Sequence, residues 1–347
     1  MRKCLILALL LSFLLVPVQA AEPKLPDVPE SAASYLPEGD GSILSKGLKI
    51  FSSALQTVIP GMRETAAACV ATLAVVILCT MFGGMESGPG NRATDLLGAV
   101  AIPAILLRST TSLIHSGLST VEEISHYGGL LLPVMSAAMV TSGGVTTAPA
   151  LYLGTALFDS ILTRLISNVL APMIYLYLAM AVASAAVGTD LLSRMRDFLR
   201  GCITWGLKTV LYVFLGYMTI TGVISGNADA VAVKAAKLTI SGAVPVVGKI
   251  LSDATETVLV GADTVRSTLG LGGLLAVLAI TVEPFVRVGL QYLLMKLTAA
   301  LCGVTGNKSQ TSLTEAFAQA MGLILAMVGT CCLLQLISTV CFMKGVT

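Results

Sequence analysis

Charge is scarce in this sequence: Asp, Glu, Lys and Arg make up only 12% of 347 residues, about half the share of an ordinary soluble domain. Water cannot be the main solvent of such a chain. Aromatics are also few, at 5% with a single Trp, which excludes a large aromatic core. The net charge is only +2, and no Lys/Arg-rich run is interleaved with aromatics, so nucleic acid is not an expected partner. Cys4, Cys69, Cys79, Cys202, Cys302, Cys331, Cys332 and Cys341 fall nearly all inside apolar runs, with neither a paired framework nor CxxC spacing. They read as small lipid- or helix-facing residues. The only histidines, His115 and His126, have no Cys neighbours, which argues against a metal site. A Walker-type loop, HExxH and GxSxG are all missing, so neither an enzyme nor a cofactor is expected, and energy for any work must come from elsewhere.

What is abundant is apolar: 55% of residues are hydrophobic, the mean hydropathy is +0.89, and 33 are Gly. This composition suits helices packed through small residues in lipid. Arg2 and Lys3 precede an apolar run from Cys4 to Leu15, then Pro17 and Val18-Gln19-Ala20. The pattern predicts a secretion signal at 1–20 cleaved after Ala20, with an uncleaved anchor as the alternative. Either way the following residues start outside the cytoplasm. Residues 21–65 read as an extracytoplasmic leader, rich in Pro at first, then an amphipathic surface segment from Lys46 to Arg63 with Leu48, Phe51, Leu55, Val58 and Ile59 at helical spacing.

Apolar runs at 66–85, 128–158, 169–188, 201–225, 268–282, 285–304 and 321–343 predict an all-α, polytopic integral membrane protein. The run 128–158 is split at Ser142-Gly143-Gly144 and Pro149 into two helices, the second ending near Ser167. Arg194, Arg196 and Arg200 mark 190–200 as the cytoplasmic loop, which requires an odd number of crossings before it. Residues 96–118 supply the extra one. The expectation is about eight to ten membrane helices, in a first half at 66–188 and a second at 189–347. Asp159 and Arg164 flank one helical turn and suggest a structural ion pair.

Residues 96–140 have an echo at 238–281: a proline (Pro103; Pro245), a polar-striped helix, then Gly128-Gly129 or Gly272-Gly273 opening an apolar span. Two internal repeats are one reading, and an odd element count in each would invert the second. The stripes Arg108, Ser112, His115, Ser119, Glu122 and Lys249, Asp253, Glu256, Val260, Asp263 share one spacing, and each lies along one helix face. Either they line a wet path or gate, or they are ordinary solvated faces of surface helices. The candidate pathway residues are Arg108, His115, Glu122, Lys249, Asp253, Glu256 and Asp263, with Pro245 and Gly248 as a hinge.

The stretch Ala236–Gly270, AKLTISGAVPVVGKILSDATETVLVGADTVRSTLG, together with Leu130–Gly144, LLLPVMSAAMVTSGG, closely resembles stage III sporulation protein AE of endospore-forming Firmicutes. The likeness extends over nearly the whole mature chain, with a leader shorter than in some relatives. It implies a place in the mother-cell membrane surrounding the forespore, beside other products of the same operon, among them an ATPase and ring-forming subunits. Through the rings it implies an indirect link to stage II sporulation protein Q. The implied role is to form or gate the membrane conduit of a secretion-like complex that sustains late forespore gene expression. An independent secondary transporter and a structural platform docking the ATPase and rings stay open beside it.

Overall fold

A computed structural model describes residues 26–35, 43–83, 90–141, 147–220, 268–305 and 308–344. The described residues form helices and no strand: α1 (Glu30–Ala33), α2 (Ile43–Gly83), α3 (Gly90–Thr141), α4 (Thr147–Leu165), α5 (Ala171–Val187), α6 (Asp190–Ile220), α7 (Thr268–Thr305) and α8 (Lys308–Lys344). A single π turn, Ile166–Leu170, joins α4 to α5 without breaking the rod. Pro172, just beyond it, has no N–H to give the preceding turn, and a widened turn accommodates that loss. Six of these rods are long and apolar enough to cross a membrane: α2, α3, α4–α5, α6, α7 and α8. The chain is a helical membrane protein by that measure.

The expectation of about eight to ten shorter helices differs from the six rods found among the described residues. Residues 96–118 and 128–141 are one helix of 52 residues, and 268–282 and 285–304 share one of 38. Likewise, 148–167 and 169–188 run together through the π turn. The sequence runs part at Pro284, but that proline sits inside a continuous helix, as Pro103 and Pro133 do in α3. The expected break after Thr141 is present. The amphipathic segment is also continuous with the first span, since α2 runs from Ile43 past Pro60 to Gly83. Its buried face is Ile50, Ala54 and Val58, while Leu48, Phe51 and Ile59 point outward. The described residues leave the proposed repeats unresolved, because most of the second echo lies outside them.

Helix α8 is the axis of the bundle. Its most apolar window is 89% buried, against 17% for α2 and for α6. Contacts along it fix the directions of its neighbours. Gly98, Gly117 and Gly128 of α3 lie against Gln310, Ile324 and Gln335 of α8, so these two helices are parallel. Ser309 donates to the Ala185 carbonyl (3.0 Å), Tyr177 to Gln319 Oε1 (2.9 Å) and Ser338 to Thr155 Oγ1 (3.2 Å), so α4–α5 runs antiparallel to it. Gly303, Gly322 and Gly270 of the α7–α8 pair meet Thr311, Tyr292 and Met343, an antiparallel register as well. Arg196 donates to Ser312 (3.1 Å) at the start of α6, while Tyr217 near its end donates to the Ala150 carbonyl (2.6 Å). Thus α6 rises beside α8.

Gly188 makes the sharp reversal between α5 and α6. Its φ of 72° lies in the left-handed region, and its N–H caps the Ser184 carbonyl at 2.9 Å. The Ser184 and Ser193 hydroxyls bond across the turn at 2.7 Å. Three rods precede this reversal among the described residues, and 96–118 is part of the second of them rather than a crossing of its own.

Exposed large apolar side chains form a belt: Val70, Ile77, Leu78, Met81 and Phe82 on α2, Leu96, Leu97, Val100 and Leu107 on α3, and Leu293, Leu297, Leu301 and Val304 on α7. In the registers above, the α3 and α7 members lie level with the N-terminal half of α8. An apolar band this broad calls for lipid rather than water against it.

Candidate functional site

The candidate stripe on α3 is one face. Arg108, Ser112, His115, Ser119 and Glu122 are all exposed, while Leu106, Leu113, Ile114, Gly117 and Val121 on the opposite side are buried. The stripe starts where the apolar belt of α3 ends at Leu107, and climbs past the level of Ile324. It therefore lies on the outer side of the bundle that the described residues form. Lys249, Asp253, Glu256 and Asp263, the hinge Pro245 and Gly248, and the cleavage position Ala20 lie outside the described residues.

Helix α8 fills the middle of the bundle that the described residues form. A cavity between α2, α3, α7 and α8, lined by Thr65, Ser109, Thr110 and Gln291 among others, holds about 10 Å³, room for a single water. A second of the same size lies beside Gly117 and Ile324 and is apolar.

Two polar layers cross α8, one toward each end. At the first, Tyr177 donates to Gln319 Oε1, Gln319 Nε2 donates to Glu315 Oε1 (3.3 Å), and Lys296 Nζ pairs with the same oxygen at 3.0 Å. This layer ties α5, α7 and α8 together, and Glu315 is its hub. Between the layers α8 reads AMGLILAMVGTCCLL, and the hydroxyl of Thr330 within it returns to the Ala326 carbonyl at 2.7 Å. The sixteen-residue step from Gln319 to Gln335 is about 24 Å along the helix.

The second layer is where the sequence reading missed something. Asp159 of α4 is 6% exposed and accepts a hydrogen bond from Ser125 Oγ of α3 at 2.6 Å. One turn before it on α4, Thr155 receives the Ser338 hydroxyl bond from α8. Gln335, on the same stripe of α8, is fully buried, and both its amide atoms lack a hydrogen-bond partner. Its side chain lies against Gly128, one turn after Ser125 on α3. Three helix faces, Ser125/Gly128, Thr155/Asp159 and Gln335/Ser338, meet here.

Asp159 does not pair with Arg164. Five residues advance a helix by about 140° beyond a full turn, so Asp159 faces the core while Arg164 is exposed. Among the described residues no ion pair includes Asp159. A signal was present in the sequence: a lone Asp and a lone Gln, each inside an apolar run, are costly at membrane depth unless something meets them. Among the described residues no group of His, Cys, Asp and Glu is arranged to hold a metal ion through those side chains.

The family model described as stage III sporulation protein AE matches residues 36–345. A curated protein of Bacillus subtilis (strain 168), stage III sporulation protein AE, is 22% identical over 285 residues, covering 81% of this chain and 71% of that protein. No solved structure is similar. With a family match spanning almost all of its length and a bundle of six membrane-length helices, the chain belongs to the stage III sporulation protein AE family.

Proposed function

We propose that the chain is the many-spanning membrane subunit of a sporulation complex, seated in the mother-cell membrane around the forespore, and that it gates a conduit there. Family membership supports the sporulation role, and the lipid belt supports the membrane location. The observation that carries the gating reading is α8: polar near both ends, apolar between, and occupying the axis along which a path through one chain would run. Such a helix is a plug that partners can move. In this reading the operon's ATPase supplies the work, and the ring-forming subunits continue the path toward stage II sporulation protein Q. The chain itself is not an enzyme and holds no cofactor.

The burial of α8 also favours a second reading, a structural platform that docks the ATPase and rings without lining a path. A secondary transporter would need a hydrated midplane site, and each of the two cavities above has room for about one water. Deleting the gene in the spore-forming host and restoring it with Arg196→Glu or Arg200→Glu variants tests the role. The gating reading expects loss of late forespore reporter expression on deletion. A deletion that leaves that expression intact contradicts both complex-based readings.

A further inference from the structure

We propose that the three-helix junction around Asp159 and Gln335 is a binding site for one monovalent alkali cation. A carboxylate buried to 6% exposure carries a full charge only if something compensates it, and its single hydrogen bond comes from a neutral hydroxyl. On the facing helix, Gln335 is 0% exposed and aimed into the same junction with its Oε1 unpartnered. Ser125, Thr155 and Ser338 bring hydroxyl oxygens to the adjoining turns. The set is therefore one carboxylate and several neutral oxygens, hard donors with one negative charge. That chemistry suits a singly charged ion such as sodium or potassium, whereas a divalent ion would leave a net charge buried.

The bound ion would join α3, α4 and α8 at one end of the axial helix. Its binding therefore favours the packed arrangement of α8, and its loss loosens the contact between α8 and its neighbours. The inference does not depend on the gating reading, since a cation clamp is equally available to a static platform.

The test uses full-length protein in lipid nanodiscs. Thermal unfolding is followed in sodium, potassium or choline chloride at constant ionic strength, and uptake of radioactive sodium and rubidium is measured directly. The expected result is a saturable rise in Tm with sodium or potassium over choline, and saturable isotope binding weakened at least about tenfold in Asp159→Asn and Gln335→Leu. Retention of binding by Glu283→Gln, a surface control paired to Arg287, is expected as well. A Tm indifferent to the cation, together with no saturable uptake of either isotope by the unmodified protein, overturns the proposal and assigns the junction to buried water or a protonated carboxyl. Binding that persists undiminished in both Asp159→Asn and Gln335→Leu also overturns it, by placing the ion elsewhere. Because the isotope assay is read on the unmodified chain, a variant that fails to fold does not protect the idea.

Discussion

The amide of Gln335 lies directly over the backbone of Gly128: a methyl group added at that glycine would meet Oε1 at 2.6 Å and Nε2 at 2.8 Å. Helices α3 and α8 touch at this point only because position 128 has no side chain. Since Gln335 is fully buried, it has little room to swing away. Gly128→Val therefore costs about 1–3 kcal/mol through overpacking. The neighbouring Gly129 is exposed and meets nothing within 4 Å, so Gly129→Ala is expected to be neutral or to stabilise by roughly 0.5–1 kcal/mol through helix propensity. Thermal unfolding of the two variants in nanodiscs checks the contrast, and equal effects would place α3 and α8 apart.

Tyr177→Phe removes the hydroxyl that donates to Gln319 while keeping the ring, which is fully buried. The loss is expected to be about 0.5–1.5 kcal/mol. Lys296→Met, by contrast, breaks a pair whose side chains are 38% and 45% exposed, and about 0–1 kcal/mol is expected. A larger cost for Lys296→Met than for Tyr177→Phe would show that the Lys296–Glu315 pair lies in lipid rather than at a wet boundary.

Single cysteines placed along α3 distinguish water from lipid at its outer face. Labelling with a membrane-impermeant thiol reagent is expected to be strong at positions 115, 119 and 122, weak at 96, 97 and 100 in the apolar belt, and absent at 106, 114 and 121, which are buried. Native cysteines are replaced in the background. Strong labelling at 97 and 100 would remove the lipid belt from α3. Labelling at 115 and 122 that appears only when the partner proteins are present would place a wet path between this chain and another subunit.

Much of the fold was legible because apolar composition and scarce charge leave few alternatives to membrane helices. The separation of α3, ending at Thr141, from α4, starting at Thr147, was legible through Ser142-Gly143-Gly144. The helix boundaries among the described residues were not. Pro103, Pro133 and Pro284 are breakers in an isolated helix, but here each lies inside a continuous helix packed among others, where freed backbone groups can be met. The layer at Asp159 was hidden for another reason. Its members come from positions 125, 155, 159, 335 and 338, and only the parallel and antiparallel registers against α8 bring them together. Periodicity along one segment reports a face and says nothing of what that face meets. For the stripe Arg108–Glu122 the spacing was right and the face proved to be the outer one.

The central claim is that α8 is a movable plug, and the most direct measurement is a reversible cross-link that pins it. Gly117 of α3 faces Ile324 of α8, so Gly117→Cys with Ile324→Cys, in a background without native cysteines, allows a disulfide across the middle of the bundle. The measurement is late forespore reporter expression in sporulating cells, with oxidant and then with reductant. Gating by α8 predicts efficient cross-linking, an assembled complex, expression that stops under oxidant and expression that returns on reduction. Full expression with α8 pinned to α3 would contradict it and leave α8 as the fixed core of a platform.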